Sequence, residues 1–151
     1  MGPSGSGMVG QGGYGPGGTS GSQATTRSGQ AAARGSQALT LEVKSDSEHG
    51  RRGPDGDWHD AFLPADFTVQ PGYTVTVTVY NYDDMPHSFT SSSLGVDETI
   101  PGGSASAPTK TTFTFTAPSK PGSYQWWCAL PCDPWAMAHD GYMRGYMTVR
   151  A

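Results

Sequence analysis

From Leu39 onward, apolar residues recur at every second position rather than every third or fourth. Leu39, Leu41 and Val43 alternate with Thr40 and Glu42, Phe67 and Val69 flank Thr68, and residues 74–80 read Thr-Val-Thr-Val-Thr-Val-Tyr. A period of two describes a strand with one buried and one wet face, and Val and Thr both favour the pleated backbone. The pattern returns at 111–116, with Phe113 and Phe115 on the inner face, then at 123–127, and residues 146–150 supply a last strand. Pro-Gly pairs at 71–72 and 121–122 mark turns between the runs. Nowhere do ten residues carry a capped apolar stripe of helical period. The polar, Gly- and charge-rich stretch 45–60 reads as an exposed loop. This pattern predicts an all-β sandwich, antiparallel or mixed.

Composition divides the chain. Of the 22 glycines, 12 fall within residues 1–38, where there is no Asp or Glu and the only charges are Arg27 and Arg34. Such a segment buries too little apolar surface to offset its ordering entropy, so 1–38 is expected to be a disordered tail or linker and 39–151 the working domain. The domain holds 7 Lys+Arg against 13 Asp+Glu. That acidic balance argues against nucleic acid as a partner. No apolar run approaches the length needed to span a bilayer, and no charged start with an apolar core opens the chain. The tail's composition is compatible with a tether to an anchor upstream.

Candidate chemistry lies between the last two predicted strands. Cys128, Cys132, Met137, His139 and Met143 fall on one loop, and His87 follows the strong Thr/Val strand in Met85-Pro86-His87-Ser88-Phe89. In a sandwich, a loop and a neighbouring strand end can meet at one pole. Thiolate and thioether sulfurs are soft, and together with imidazole they suit copper better than a hard cation. Zinc sites use Cys, His and carboxylate, so the methionine tips the choice.

These residues resemble a known family. The strand pattern, the segment Asn81-Tyr82-Asp83-Asp84-Met85-Pro86-His87-Ser88-Phe89 and the Cys…His…Met loop are similar to those of cupredoxins, whose fold is a Greek-key β-sandwich. The Cys-x3-Cys pair followed by His and Met resembles the binuclear copper A (CuA) domains of cytochrome oxidase subunit II and nitrous oxide reductase. Residues 143–149, Met-Arg-Gly-Tyr-Met-Thr-Val, are similar to the segment that closes the site in the latter. The resemblance covers about residues 60–150. It implies that Cys128 and Cys132 bridge two coppers, His87 and His139 cap one each, Met143 is a weak ligand and Leu130 offers its backbone carbonyl. It also implies electron transfer outside the cytoplasm, in the periplasm, at the cell surface or in secreted form, with a redox partner such as a cytochrome or terminal oxidase. The acidic surface would suit a basic partner.

The loop departs from the family spacing. CuA domains read Cys-x3-Cys-x3-His-x2-Met, whereas this chain reads Cys-x3-Cys-x6-His-x3-Met, with Trp135 and Met137 in the added stretch. A mononuclear type 1 site built from His87, one cysteine, His139 and Met143 is therefore open, so the copper count is one or two, and Met137 could replace an expected ligand. Other readings are copper delivery without electron transfer, a Cys128–Cys132 disulfide staple, and a structural zinc site of His87, Cys128, Cys132 and His139. His49 and His59 are expected to be solvated, the tryptophans to pack the core or loop, and Asp83 and Asp84 to shape the turn before His87. Enzyme classes are disfavoured: there is no His-x-His pair for a trinuclear copper cluster, no C-x-x-C-H and no P-loop, GxSxG or HExxH.

Overall fold

The structure is a computed structural model that describes residues 34–151. Of the tail expected over 1–38, residues 1–33 lie outside the described residues, and Ser36 already opens strand β1 (Ser36–Lys44). The remaining strands are β2 (Arg51–Arg52), β3 (Trp58–His59), β4 (Ala61–Leu63), β5 (Phe67–Val69), β6 (Thr74–Asn81), β7 (His87–Ser91), β8 (Val96–Ile100), β9 (Thr109–Thr116), β10 (Gly122–Trp127) and β11 (Arg144–Val149). One short helix, α1 (Pro134–Met137), interrupts the last connection.

Two sheets form the sandwich, one in the order β4-β1-β6-β9 and the other β5-β11-β10-β7-β8. The fold is all-β, and each sheet is mixed. β1 runs parallel to β6 with Ser36 opposite Thr74, and β5 runs parallel to β11, while the other pairings in both sheets are antiparallel. The Ser36–Ala38 segment belongs to the sheet because its backbone continues the β1–β6 ladder, although its side chains lack the apolar alternation that marks Leu39 to Val43.

The period of two places the core. Leu41, Val43, Val75, Val77 and Val79 are fully buried from one sheet, and Phe89, Ile100, Trp126 and Met147 from the other. Aromatic rings join the layers. Phe89 stacks on Trp126 with centroids 4.9 Å apart, and Phe62 meets Trp126 edge-on at 4.7 Å. Phe113 lies 5.5 Å from Phe89. The indole N–H of Trp126 donates to the Ala65 carbonyl at 2.8 Å, so the ring is buried without an orphaned donor.

The stretch 45–60 is not a plain exposed loop. It makes a 3-10 turn at Asp46–Glu48 and then the β2–β3 hairpin, with Arg51 opposite His59. Two-residue strands carry no readable periodicity, and the hairpin is fixed by distant partners. Arg51 donates to the Gly141 carbonyl at 2.7 Å, and the Tyr142 hydroxyl donates to the Arg52 carbonyl at 3.0 Å. Among the described residues, no helix is long and apolar enough to cross a membrane.

Truncating Phe89 to Ala removes the ring that links both layers and should cost about 3–5 kcal/mol. Thr114→Ala, on the exposed face of β9, should change stability by no more than about 0.5 kcal/mol. Urea unfolding of the two variants checks the contrast.

Candidate metal centre

A single strand pairing brings the donors together. β10 meets β7 at Trp127 opposite Thr90, so the chain leaving β10 passes the residues that open β7. Cys128 follows β10 directly, and His87 is the first residue of β7. The Ser88 amide donates to Cys128 Sγ at 3.4 Å, and the Ala129 amide to Ser88 Oγ at 2.8 Å. The ligand atoms of His87, Cys128 and Cys132 all lie within 4.8 Å of one another. Cys128 Sγ is 3.8 Å from His87 Nδ1, 3.9 Å from Cys132 Sγ and 3.6 Å from the Leu130 carbonyl oxygen. Both cysteines are free. His87 and Cys128 are buried, and Cys132 is partly buried.

The thiols share their protons unequally. Cys132 donates its thiol to Cys128, which holds Cys128 down to about 4 despite burial, with His87 and the Ser88 amide adding to the effect. Cys132 is pushed up, first by the Cys128 sulfur and then by burial. Cys128 is thus the sulfur biased towards the thiolate, the form that binds metal. Burial lowers the His87 imidazole, but Cys128 and Asp83 outweigh it and leave it above its ordinary value.

The other expected ligands are placed differently. Met143 is fully buried, and its carbonyl accepts the Cys128 amide at 2.8 Å, so its backbone adjoins the thiol pair. His139 does not join the cluster: it is exposed and lies flat on Trp135 with centroids 3.7 Å apart. Its Nδ1 is 2.7 Å from the Trp135 carbonyl, which can only accept, so Nδ1 carries the proton. The residues added between Cys132 and His139 explain this placement, because they form α1. Asp133 caps it by accepting from the Trp135 and Ala136 amides, and Pro134 provides the fixed φ of the first turn. Met137 is part of that helix and packs, partly buried, against the core.

His59 is buried rather than solvated. Its Nδ1 is 2.9 Å from Asp133 Oδ2 and its Nε2 2.8 Å from Asp55 Oδ2. Burial pushes the imidazole down, but Asp133 and Asp55 together lift it above the ordinary value. The ring stacks on Trp135 at 3.9 Å, so the indole is held between His59 and His139. His49 is exposed and lies near Trp58. Asp60, whose carboxyl burial raises to about 6, forms a second buried group with Asp83 and His87.

Asn81, Asp83, Asp60 and Asp133 are polar neighbours of these groups that the chain's motifs did not single out as site residues. Asn81 carried a signal: it is in phase with Val75, Val77 and Val79, so the alternation that buries those valines also buries an amide. The ion pair of His59 with Asp133 spans 74 positions and leaves no local pattern.

The fold agrees with the comparisons. The family model for the Cupredoxin-like domain matches residues 22–149. The chain belongs to this family. Among curated proteins none matches. Solved structures support the cupredoxin-like fold at low identity. The blue copper oxidase of Nitrosomonas europaea is 19% identical with a TM-score of 0.56, covering 78% of this chain and 39% of that one. The multicopper oxidase mgLAC is 17% identical with a TM-score of 0.55, covering 76% and 39%. The metal-binding domain of the Streptococcus pneumoniae D39 Cu(I)-exporting ATPase CopA is 14% identical with a TM-score of 0.50, covering 81% and 93%. This cupredoxin-like chain therefore spans about two-fifths of either oxidase.

His59 makes the stability of the fold depend on pH. Its folded pKa is raised, so its contribution is full below the ordinary value of about 6.5 and is lost as pH rises through the folded value. The stability gap between wild type and His59→Gln should shrink between pH 6 and pH 8, as read from denaturation midpoints in the metal-free protein. A gap that widened with pH would contradict the paired imidazolium.

Proposed function

We propose that this cupredoxin-like domain is a copper-binding electron-transfer protein whose metal is held by His87, Cys128 and Cys132. The observation that carries the reading is the convergence of one imidazole and two free thiols at the pole where β7 and β10 meet. The donor set fits copper: two sulfurs and one imidazole are soft to intermediate ligands, with a buried methionine next to them in the fold. Copper supplies a one-electron couple.

The chain's own residues limit what must change as that electron arrives and leaves. Strand ends fix His87 and Cys128, the Ser88 amide donates to the Cys128 sulfur, and burial keeps water from competing for the ligands. A site held in this way reorganises little, which is the requirement for exchange with a protein partner. One electron would come from a reduced redox protein and pass to an oxidised one, and the excess of 13 acidic over 7 basic residues in 39–151 favours basic partners. Such a partner would be a cytochrome or a terminal oxidase, in an extracytoplasmic setting.

The two cysteines support a CuA-like pair of coppers bridged by both thiolates, with His139 and Met143 as further ligands and Leu130 offering its carbonyl. A single-copper site is the second reading. The type 1 set of His87, one cysteine, His139 and Met143 would also need His139, and the engagement of His139 with Trp135 favours instead a single copper held by His87, Cys128 and Cys132. The two differ in their demand on His139: the binuclear site needs its imidazole, and the single-copper site can be built without it.

Copper stoichiometry and an electron paramagnetic resonance spectrum of the loaded protein test these readings. One electron shared over two coppers gives seven hyperfine lines, and a single copper gives four. For the binuclear site, Cys128→Ser, Cys132→Ser and His139→Ala should each abolish the seven-line pattern. For the single-copper site, His139→Ala should leave the spectrum unchanged. A colourless Cu(I) complex that does not cycle would favour delivery, and no copper uptake by the reduced protein would remove copper altogether.

A further inference from the structure

We infer that Asp83 is the positioning residue of the site: it fixes which nitrogen of His87 is free for metal and raises that nitrogen's power to stabilise oxidised copper. This inference rests on the copper reading above and adds a residue outside the ligand set.

The imidazole of His87 has two sides with different neighbours. Nδ1 faces Cys128 Sγ at 3.8 Å, while Nε2 is 2.7 Å from Asp83 Oδ2. A carboxylate only accepts, so Nε2 carries a hydrogen in either charge state of the ring. Nδ1 is the nitrogen left facing the sulfur side, where a metal would take the place of any proton shared with Cys128. Without Asp83, the neutral ring could adopt either tautomer, and one of them would put a proton where the metal must bind.

The fold strongly determines where this carboxylate stands. The Asp83 amide donates to Asn81 Oδ1 at 2.9 Å, and its carbonyl accepts the Gly103 amide at 2.7 Å. Asn81 is fully buried and donates through Nδ2 to the carbonyls of Met85 and Pro101, each at 3.0 Å. The 101–103 segment can lie this close because residue 103 is glycine; a Cβ there would collide with the Asn81 carbonyl oxygen. These bonds pin the backbone on both sides of the 82–86 turn. A side chain that only shaped the turn would need none of the His87 contact, yet Asp83 is 5% exposed and turned inward onto the ring.

The chemical consequence follows from the charge. A carboxylate on the remote nitrogen makes the imidazole a stronger donor, and outer partners of this kind typically alter metal affinity 10–100-fold. The extra electron density stabilises Cu(II) more than Cu(I), so Asp83 lowers the reduction potential of the site. Aspartate differs here from asparagine, which retains an oxygen acceptor without the charge.

The test uses wild type, Asp83→Asn and Asp83→Ala as full chains. In the copper-free wild type, nitrogen chemical shifts of His87 should show the hydrogen on Nε2, and Asp83→Ala should give a mixture of tautomers. On copper loading, Asp83→Asn should lose affinity for Cu(II) about 10–100-fold relative to Cu(I). Each tenfold corresponds to a potential about 59 mV higher. If wild type binds copper but Asp83→Asn leaves the potential unchanged, the inference is overturned and the copper reading stands. An Nε2 without a hydrogen in the wild type would overturn it even if both variants failed to fold. Failure of the wild type to bind copper would instead sink the reading on which the inference rests.

Discussion

The pairing of β10 with β7 is the contact on which the rest depends. It joins chain segments about forty residues apart at one register position, and from it the local backbone leads directly to His87 on one strand and Cys128 on the other. A slip of one residue would turn every side chain of a strand to the opposite face. The register is held because Phe89, Trp126 and Phe62 pack into one aromatic cluster just below the donors. Hydrophobic burial therefore fixes the position of polar groups that could not have fixed themselves, since ordering two thiols and an imidazole in a low-dielectric site is costly until a metal or a proton bridges them.

The electrostatics of the site follow from this burial. His87 lies between the sulfur more inclined to ionise and the Asp83 carboxylate, and burial, with the charge of Asp83 adding to it, raises the Asp60 carboxyl. Three acidic groups around one imidazole would be unstable if all were charged. The structure resolves the conflict by sharing protons: Cys132 retains its proton and donates it to Cys128, and Asp60 is biased towards its neutral form. A cation entering the cluster would relieve the same repulsion, which is consistent with the metal-binding reading of the thiol pair.

Around this centre the lengthened loop has its own support. Asp133 caps α1, accepts the Asp60 amide and pairs with His59, so one carboxylate ties the helix to the β3 strand. Trp135 lies between two imidazoles, with Tyr142 edge-on at 4.8 Å. Aromatic contacts of this kind contribute about 0.5–1.5 kcal/mol each beyond area burial. The added residues are therefore a folded brace against the 51–59 hairpin, and they carry His139 to the surface instead of to the thiols.

The strands, the sandwich and the residue types of the site were legible in the chain because each rests on local information. Alternation of Val with Thr sets which face is buried, and Cys128, Cys132 and His87 announce soft-metal chemistry by their identity. The hairpin within 45–60 and the burial of His59 were not legible, because two-residue strands have no period and their partners lie 74 to 90 positions away. The helix after Cys132 is a single turn, too short to show a period beside its local Asp133-Pro134 cap. By itself the sequence determined the fold class and the candidate donors. Only the tertiary structure decided which donors converge, how His87 is oriented and where His139 rests. Those depend on distances across the chain, which a one-dimensional pattern does not contain.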